Sequence, residues 1–233
     1  MRSLFVLLSC SILAGSLQAQ TALQMPPENQ VQLSASATIE VPQDWLMMTL
    51  TTSRDGLDAV VVQSQLKQAL DLALLQGRAA AQPGQLEMHT GAFQLYPRNG
   101  RDGRINGWQG RVELVLEGRD FVAIGATAGR MQTLTMGGVQ FGLSREQRAK
   151  VETEVQAQAI AGFKAKAGEI ARGFGFTSFV LREVAVNANN QMFAQRPRMM
   201  AMEAKTAVAD APVPLEAGKA SVTVSVSGSV QLK

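Results

Sequence analysis

Hydrophobic positions recur at helical spacing from Ser144 to about Arg172, which predicts one long helix. Ser144 followed three residues later by Gln147 is a capping box, in which hydroxyl and amide satisfy backbone groups at the helix start. Gly173 and Gly175 predict the helix end, because glycine tolerates the positive φ of a helix stop. A helix of roughly 42 Å needs a sizeable sheet to cover its apolar stripe. That stripe consists of Val151, Val155, Ala159, Phe163 and Ile170.

Elsewhere polar and apolar residues alternate with a period of two, which predicts strands with one buried and one solvent-exposed face. The third and fourth strands form a hairpin around Pro97–Gly103, and Gly137-Gly138 interrupts the fifth. The predicted strands are Val31–Val41, Trp45–Thr52, Leu86–Tyr96, Ile105–Glu117, Thr133–Leu143, Thr177–Val186 and Ala220–Leu232.

Two further helices are predicted, from Asp55 to Gln76 and from Asp120 to about Arg130. The first ends at Gly77, and its apolar stripe consists of Leu57, Val60, Val61, Leu66, Leu70 and Leu74. Strands buried on both faces would be almost continuously apolar, and these are not. We therefore expect an α+β protein with largely antiparallel sheet and amphipathic helices packed on one face. A weak symmetry between the halves of the chain leaves open two related subdomains.

The opening strand Val31–Val41 and the closing strand Ala220–Leu232 alternate without interruption and carry few charges. They are the expected edge strands, and an unprotected edge pairs readily with another chain. A homo-oligomer is therefore the expected state.

Residues 1–19 have the pattern of a secretory signal peptide: one arginine, an apolar run and small residues around Ala19. A membrane anchor and a lipidated Cys10 are the less favoured alternatives, since the apolar run is short for a bilayer span. Cleavage after Ala19 removes Cys10, the sole cysteine, and excludes disulfide and thiolate chemistry. A linker (20–30) then precedes one domain (31–233), which contains an irregular segment (187–218). The expected location is the periplasm.

The formal net charge is +3, and acidic and basic residues are mixed along the chain. This pattern argues against nucleic-acid binding. No second long apolar run follows the signal peptide, so no transmembrane segment is expected in the mature chain.

The sequence contains no evident cluster of histidine, cysteine and acidic motifs of the kind that forms an active site. No catalytic, cofactor or metal site is therefore predicted, and the chain is not expected to be an enzyme. His89 is the sole histidine, too few for an ordinary zinc site. Ser64 and Lys67 match the S-x-x-K of serine β-lactamases, but neither S-D-N nor K-T-G follows. Gly173-Phe174-Gly175 follows a helix, the wrong context for a dinucleotide loop. Glu152 and Glu154 lie two apart on a helix and face different directions.

Residues 192–202, MFAQRPRMMAM, form the one unusual cluster. Three interpretations remain open: a Cu(I) site of thioether ligands, a sink for oxidants through reversible sulfoxide formation, and an adaptable apolar loop that packs against a partner. The last is favoured.

Five stretches together resemble the SIMPL-domain family, in the right order and over essentially the whole of Val31–Lys233. Trp108 stands where the family usually has tyrosine, and Ala35 where it usually has glycine. The stretches are VQLSASATIEVPQDWLMMTLTT (31–52), LEMHTGAFQLYP (86–97), GWQG (107–110), LEGRDF (116–121) and VQFGLS (139–144).

Members of that family include bacterial periplasmic or outer-membrane-associated immunogens and proteins linked to oxidative-stress defence, and some assemble into rings. The resemblance implies a non-enzymatic periplasmic protein, oligomeric, with a role in envelope or oxidative-stress tolerance. It supplies no catalytic residues. The alternative is a periplasmic chaperone-like module that binds proteins, or small apolar ligands between helix and sheet.

Overall fold

The structure, a computed structural model, describes residues 28–188 and 215–233. The expected signal peptide, most of the linker and the methionine-rich segment 192–202 lie outside the described residues. Seven strands and three helices occur within those two ranges: β1 Gln30–Pro42, β2 Trp45–Gly56, α1 Ala59–Arg78, β3 Glu87–Asn99, β4 Ile105–Gly118, α2 Phe121–Arg130, β5 Thr135–Gly142, α3 Arg145–Gly173, β6 Phe179–Ala188 and β7 Lys219–Leu232.

The strands form two sheets, one of four strands in the order β3-β4-β2-β5 and one of three in the order β1-β7-β6. Every neighbouring pair is antiparallel. Helices α1 and α2 pack on the four-stranded sheet, and α3 packs mainly on β1 and β7. The α+β architecture predicted from the sequence is confirmed. Each sheet, with the helices packed on it, forms one layer of the protein. The two layers are not consecutive halves of the chain, because β1 joins the sheet of β6 and β7.

The connection between β1 and β2 places two polar residues where the layers meet. The strands belong to different sheets, although only Gln43 and Asp44 separate them. Pro42, which cannot donate to a ladder, ends β1. Gln43 and Asp44 therefore lie at the boundary between the layers.

The buried face of α1 differs from the predicted one. Leu66 and Leu70 are buried as expected, but the other buried residues are Val62, Ala69, Ala73 and Gly77. Leu57, Val60 and Val61 are instead 83%, 72% and 51% exposed. The helix begins at Ala59 after the N-cap Asp58, and Asp55 belongs to β2. Apolar side chains surround much of this helix, so residue type alone does not identify the face that packs.

Gly77 does not end α1, which continues to Arg78. A Cβ at this position would lie 2.1 Å from Sδ of Met88 on β3. The glycine therefore permits close packing of the helix on the sheet.

The buried face of α3 follows a strict repeat of four residues, so it drifts by about 40° per step around the helix. A drifting stripe suits a helix that crosses a twisted sheet. Ile170, predicted to belong to the stripe, is only partly buried because Ala167 and Ala171 occupy the contact face. The buried positions are Val151, Val155, Ala159, Phe163, Ala167 and Ala171.

Both predicted ends of α3 are confirmed. Ser144 is the N-cap, and its hydroxyl accepts from the backbone N–H of Gln147 at 3.2 Å. The helix ends at Gly173, and Gly175 adopts a φ of 84°. The chain thus reverses toward β6 where the sequence predicts it.

One of the two predicted edge strands is correct. β1 lies at an edge, but β7 lies between β1 and β6, so the prediction for the closing strand was wrong. Alternation reports which face of a strand is buried and carries no information about its neighbours. The second edge is β6, which extends to Ala188 and takes in the start of the expected irregular segment.

Candidate functional site

A polar network joins three elements at the boundary between the layers. Asp44 follows β1, Arg119 follows β4, and Ser144 caps α3. The backbone N–H of Ser144 donates to Oδ1 of Asp44 at 2.7 Å, and its hydroxyl donates to Oδ2 at 2.6 Å. In a capping box the backbone N–H of Ser144 would donate to the side chain of Gln147. Here this N–H donates to Asp44 instead. The reciprocal half of the predicted capping box was wrong.

Arg119 completes this network from the loop before α2. Its Nη2 donates to Oγ of Ser144 at 2.9 Å and to Oε2 of Glu146 at 2.6 Å, while its Nε lies 3.6 Å from Oδ2 of Asp44. The side chains of Asp44 and Arg119 are 33% and 40% exposed, so solvent screens the ion pair. Ser144 is 2% exposed. The hydrogen bonds to this buried residue carry most of the stabilisation.

Gln43 makes a second set of contacts across the same boundary. Its Nε2 donates to the carbonyl of Phe141 at 3.0 Å, and its Oε1 accepts from the N–H of Gly218 at 3.2 Å. Its backbone N–H donates to the carbonyl of Gly218 at 3.0 Å. One residue thus fixes the end of β5 and the approach to β7. We call Gln43, Asp44, Arg119, Ser144 and Gly218 the junction.

The chemistry of the junction is structural. The Ser144 hydroxyl donates to Asp44 and accepts from Arg119 and the N–H of Gln147. A serine nucleophile needs an accessible Oγ beside a general base. Here the hydroxyl is buried and its hydrogen-bonding capacity is used. The arrangement positions α3 relative to β2 and α2.

His89 lies on the open face of the four-stranded sheet, the face opposite α1 and α2, with its side chain 51% exposed. Its Nδ1 is 3.5 Å from Oε1 of Glu117, and the indole Nε1 of Trp45 donates to Oε2 of the same carboxylate at 3.2 Å. These contacts hold an exposed histidine at the surface of the sheet. They assemble neither a nucleophile nor a set of metal ligands.

The other residues weighed from the sequence are not brought together. Ser64 and Lys67 are both exposed on α1. Glu152 lies 3.7 Å from Nη1 of Arg148, whereas Glu154 is exposed. Within residues 28–188 and 215–233, no group of three or more histidine, cysteine or acidic side chains is placed to hold a metal ion. No helix in those ranges is long and apolar enough to span a membrane.

Sequence reasoning missed the junction, although a signal for it was present. Three of the stretches that carry the family resemblance each contribute one of its residues: Asp44 in VPQD, Arg119 in LEGRDF and Ser144 in VQFGLS. Asp44 and Ser144 are 100 residues apart in the chain. Their meeting follows from the pairing of β2 with both β4 and β5. Local patterns do not report that pairing.

Comparison with curated proteins finds no match. Comparison with protein families finds one model, described as "SIMPL: Protein of unknown function (DUF541)", which matches residues 31–230. The match takes in both sheets, all three described helices and the whole junction. The chain therefore belongs to the SIMPL family.

Proposed function

We propose that this chain is an exported, non-enzymatic periplasmic protein that assembles with copies of itself through strand β6. Its role is in envelope or oxidative-stress tolerance, as the family resemblance implies, and residues 1–19 direct its export. The observation that carries the proposal is the exposure of β6, an edge strand with both faces open to solvent.

Exposed apolar side chains on β6 support this proposal. Leu181, Val184 and Val186 are 45%, 44% and 43% exposed. They pair with Val230, Gly228 and Val226 of β7, and Val230 and Val226 are buried beneath α3. The three side chains therefore continue the apolar face of the sheet beyond the area that α3 covers.

As far as the described residues show, β6 is also the least protected of the four sheet edges. β3 carries Pro97 and Arg98, and β5 is short and bulged at Gly137. On β1, Nζ of Lys166 donates to the carbonyl of Ser34 at 2.9 Å. Proline, charge, bulges and covering side chains all block edge pairing. β6 has no proline, and its one bulge, at Arg182, coincides with its two adjacent charges.

The charges of β6 are complementary to those of a second, antiparallel β6. With Arg182 opposite Glu183 of a second copy, Leu181 lies opposite Val184 of that copy. Directly opposed side chains of opposite charge, and apolar pairs, each stabilise a sheet by about 0.2–1 kcal/mol. A two-fold axis repeats both pairs, as a closed dimer requires.

Substitution of Val184 tests this interface. We expect Val184→Lys to lower the mass of the mature protein in light scattering, because the new charge opposes pairing of the edge. It is also expected to fail to restore peroxide tolerance to a strain that lacks the protein. Val60→Lys is the matched control, since Val60 is an exposed valine on the other layer. A wild-type monomer at tens of micromolar would end the assembly proposal.

The exposed surface formed by Leu57, Val60 and Val61 favours a second candidate, a protein-binding or chaperone-like module. The experiment above separates the two, because loss of mass or peroxide tolerance in Val60→Lys alone would place the interaction on α1. Binding of apolar ligands between helix and sheet has less support. Leu66 of α1 and Leu114 of β4 are both fully buried in one packed core.

A further inference from the structure

The open face of the four-stranded sheet contains a groove beside the end of β2. Its volume is about 610 Å³, within the range of small-molecule sites. Strand pairing places two neighbouring rows of side chains on this face. The first row is Gln94, Arg111 and Ser53, and the second is Tyr96, Gln109 and Asp55. All of them except Asp55 line the groove, and Asp55 lies at its border. The groove is on a different sheet from β6, so it is independent of the proposed assembly.

The charges on this part of the open face balance. Arg111 lies 3.2 Å from Glu113, and its Nε donates to Oγ1 of Thr51 at 2.8 Å. Asp55 at the end of β2 adds a second carboxylate, and Arg98 farther along β3 adds a second guanidinium. Two positive and two negative side chains therefore surround the groove. Such a site selects neither an anion nor a cation, so its charge pattern favours a neutral ligand.

Arg54 borders the groove but does not contribute its charge to it. It pairs with Gly110, where a Cβ would lie 2.5 Å from Cδ1 of Leu66 on α1. The side chain of Arg54 is therefore on the face that α1 covers. Its Nη1 donates there to Oγ1 of Thr52 at 2.8 Å, and Thr52 belongs to the same face.

The two rows combine unused polar groups with one aromatic ring. Within the described residues, the side chains of Gln94, Gln109 and Asp55 make no hydrogen bond. An amide both donates and accepts, and a carboxylate accepts from two hydroxyls at once, as the neighbouring hydroxyls of a sugar ring require. Tyr96 is 52% exposed in the same row as Gln109. Its ring offers an apolar surface for the C–H face of a pyranose.

We propose that this groove binds a neutral saccharide, a chain of uncharged pyranose rings. One ring packs on Tyr96 with its hydroxyls toward Gln109 and Asp55, and the adjoining ring lies over Gln94. An acidic sugar would place its carboxylate near that of Asp55, which like-charge repulsion opposes. A nucleic-acid backbone needs an extended basic surface, and the charges here cancel. A linear polyol would leave the aromatic ring unused.

Calorimetric titration of the mature protein with cellotetraose tests the proposal, with tetragalacturonate as the acidic sugar chain and sorbitol as a polyol without a ring. We expect cellotetraose to bind, and both other probes to bind at least about tenfold more weakly. Tyr96→Ala is expected to weaken cellotetraose binding at least about fivefold, because the aromatic surface is lost, whereas Tyr96→Phe keeps the ring and should bind nearly as wild type does.

Two glutamines of the open face provide a matched pair of variants. Gln109→Ala removes an amide from the middle of the groove and is expected to weaken cellotetraose binding at least about threefold. Gln140→Ala removes an exposed amide from β5, outside the groove, and should leave binding unchanged. Thermal melting of each variant confirms that it is folded.

Four results would each overturn the proposal. They are absence of cellotetraose binding, binding of sorbitol or tetragalacturonate that equals it, an affinity of Tyr96→Phe as low as that of Tyr96→Ala, and equal affinities of Gln109→Ala and Gln140→Ala.

Discussion

Replacement of Phe163 by alanine is expected to lower the free energy of unfolding by about 3–5 kcal/mol. Phe163 is 2% exposed in the middle of α3, within the core between this helix and the three-stranded sheet. Truncation removes the transfer free energy of the ring and leaves a cavity that a long, straight helix fills poorly. Chemical denaturation at a concentration below that of assembly measures the loss without a contribution from subunit contacts.

Lys150→Ala is the matched control on the same helix. Lys150 is exposed, and a surface substitution of this kind changes stability by less than about 0.5 kcal/mol. Equal losses for Phe163→Ala and Lys150→Ala would contradict the assignment of the buried face.

Replacement of Asp44 by alanine is expected to cost about 2–4 kcal/mol. The substitution removes the acceptor for both the N–H and the hydroxyl of Ser144, and the N–H is left in a buried position. It also leaves Arg119 without one of its two carboxylate neighbours. Within residues 28–188 and 215–233 the junction is the main polar connection between the layers, so the loss extends beyond the cap of α3.

Asp44→Asn separates the hydrogen bonds from the charge. Its Oδ1 still accepts from the N–H of Ser144, so we expect less than about half the loss caused by alanine. Asp71→Ala, at an exposed position on α1, controls for the removal of one negative charge. If Asp44→Ala and Asp71→Ala melt at the same temperature, the junction does not hold the layers together.

Sequence patterns predicted most elements of this fold, because each depends on neighbours within one turn or one strand. Ser144 at the start of α3 and Gly175 after its end are local signals, and both are confirmed. The face of α1 was harder to predict. Val60 and Val61 have the same apolar character as the buried Val62, and the contact face is completed by Ala69 and Ala73, which give little signal.

Local sequence patterns did not predict the features of the fold that depend on which strands pair. The central position of β7 and the edge position of β6 follow from which strands meet, and β7 alternates in sequence as the edge strand β1 does. The junction has the same origin. Asp44 meets Ser144 only once β2 pairs with β4 and β5.

Amide hydrogen exchange of β6 is the most direct measurement of the proposed assembly. An edge strand that pairs with a second copy buries its outward N–H groups in hydrogen bonds, and exchange then requires the pair to open. We expect exchange within Val180–Asn187 to slow at least about tenfold as the mature protein is raised from nanomolar to tens of micromolar. The edge strand β3 serves as the internal reference and should not change. Exchange of β6 that is independent of concentration, or slowing in β3 instead, would contradict assembly through β6.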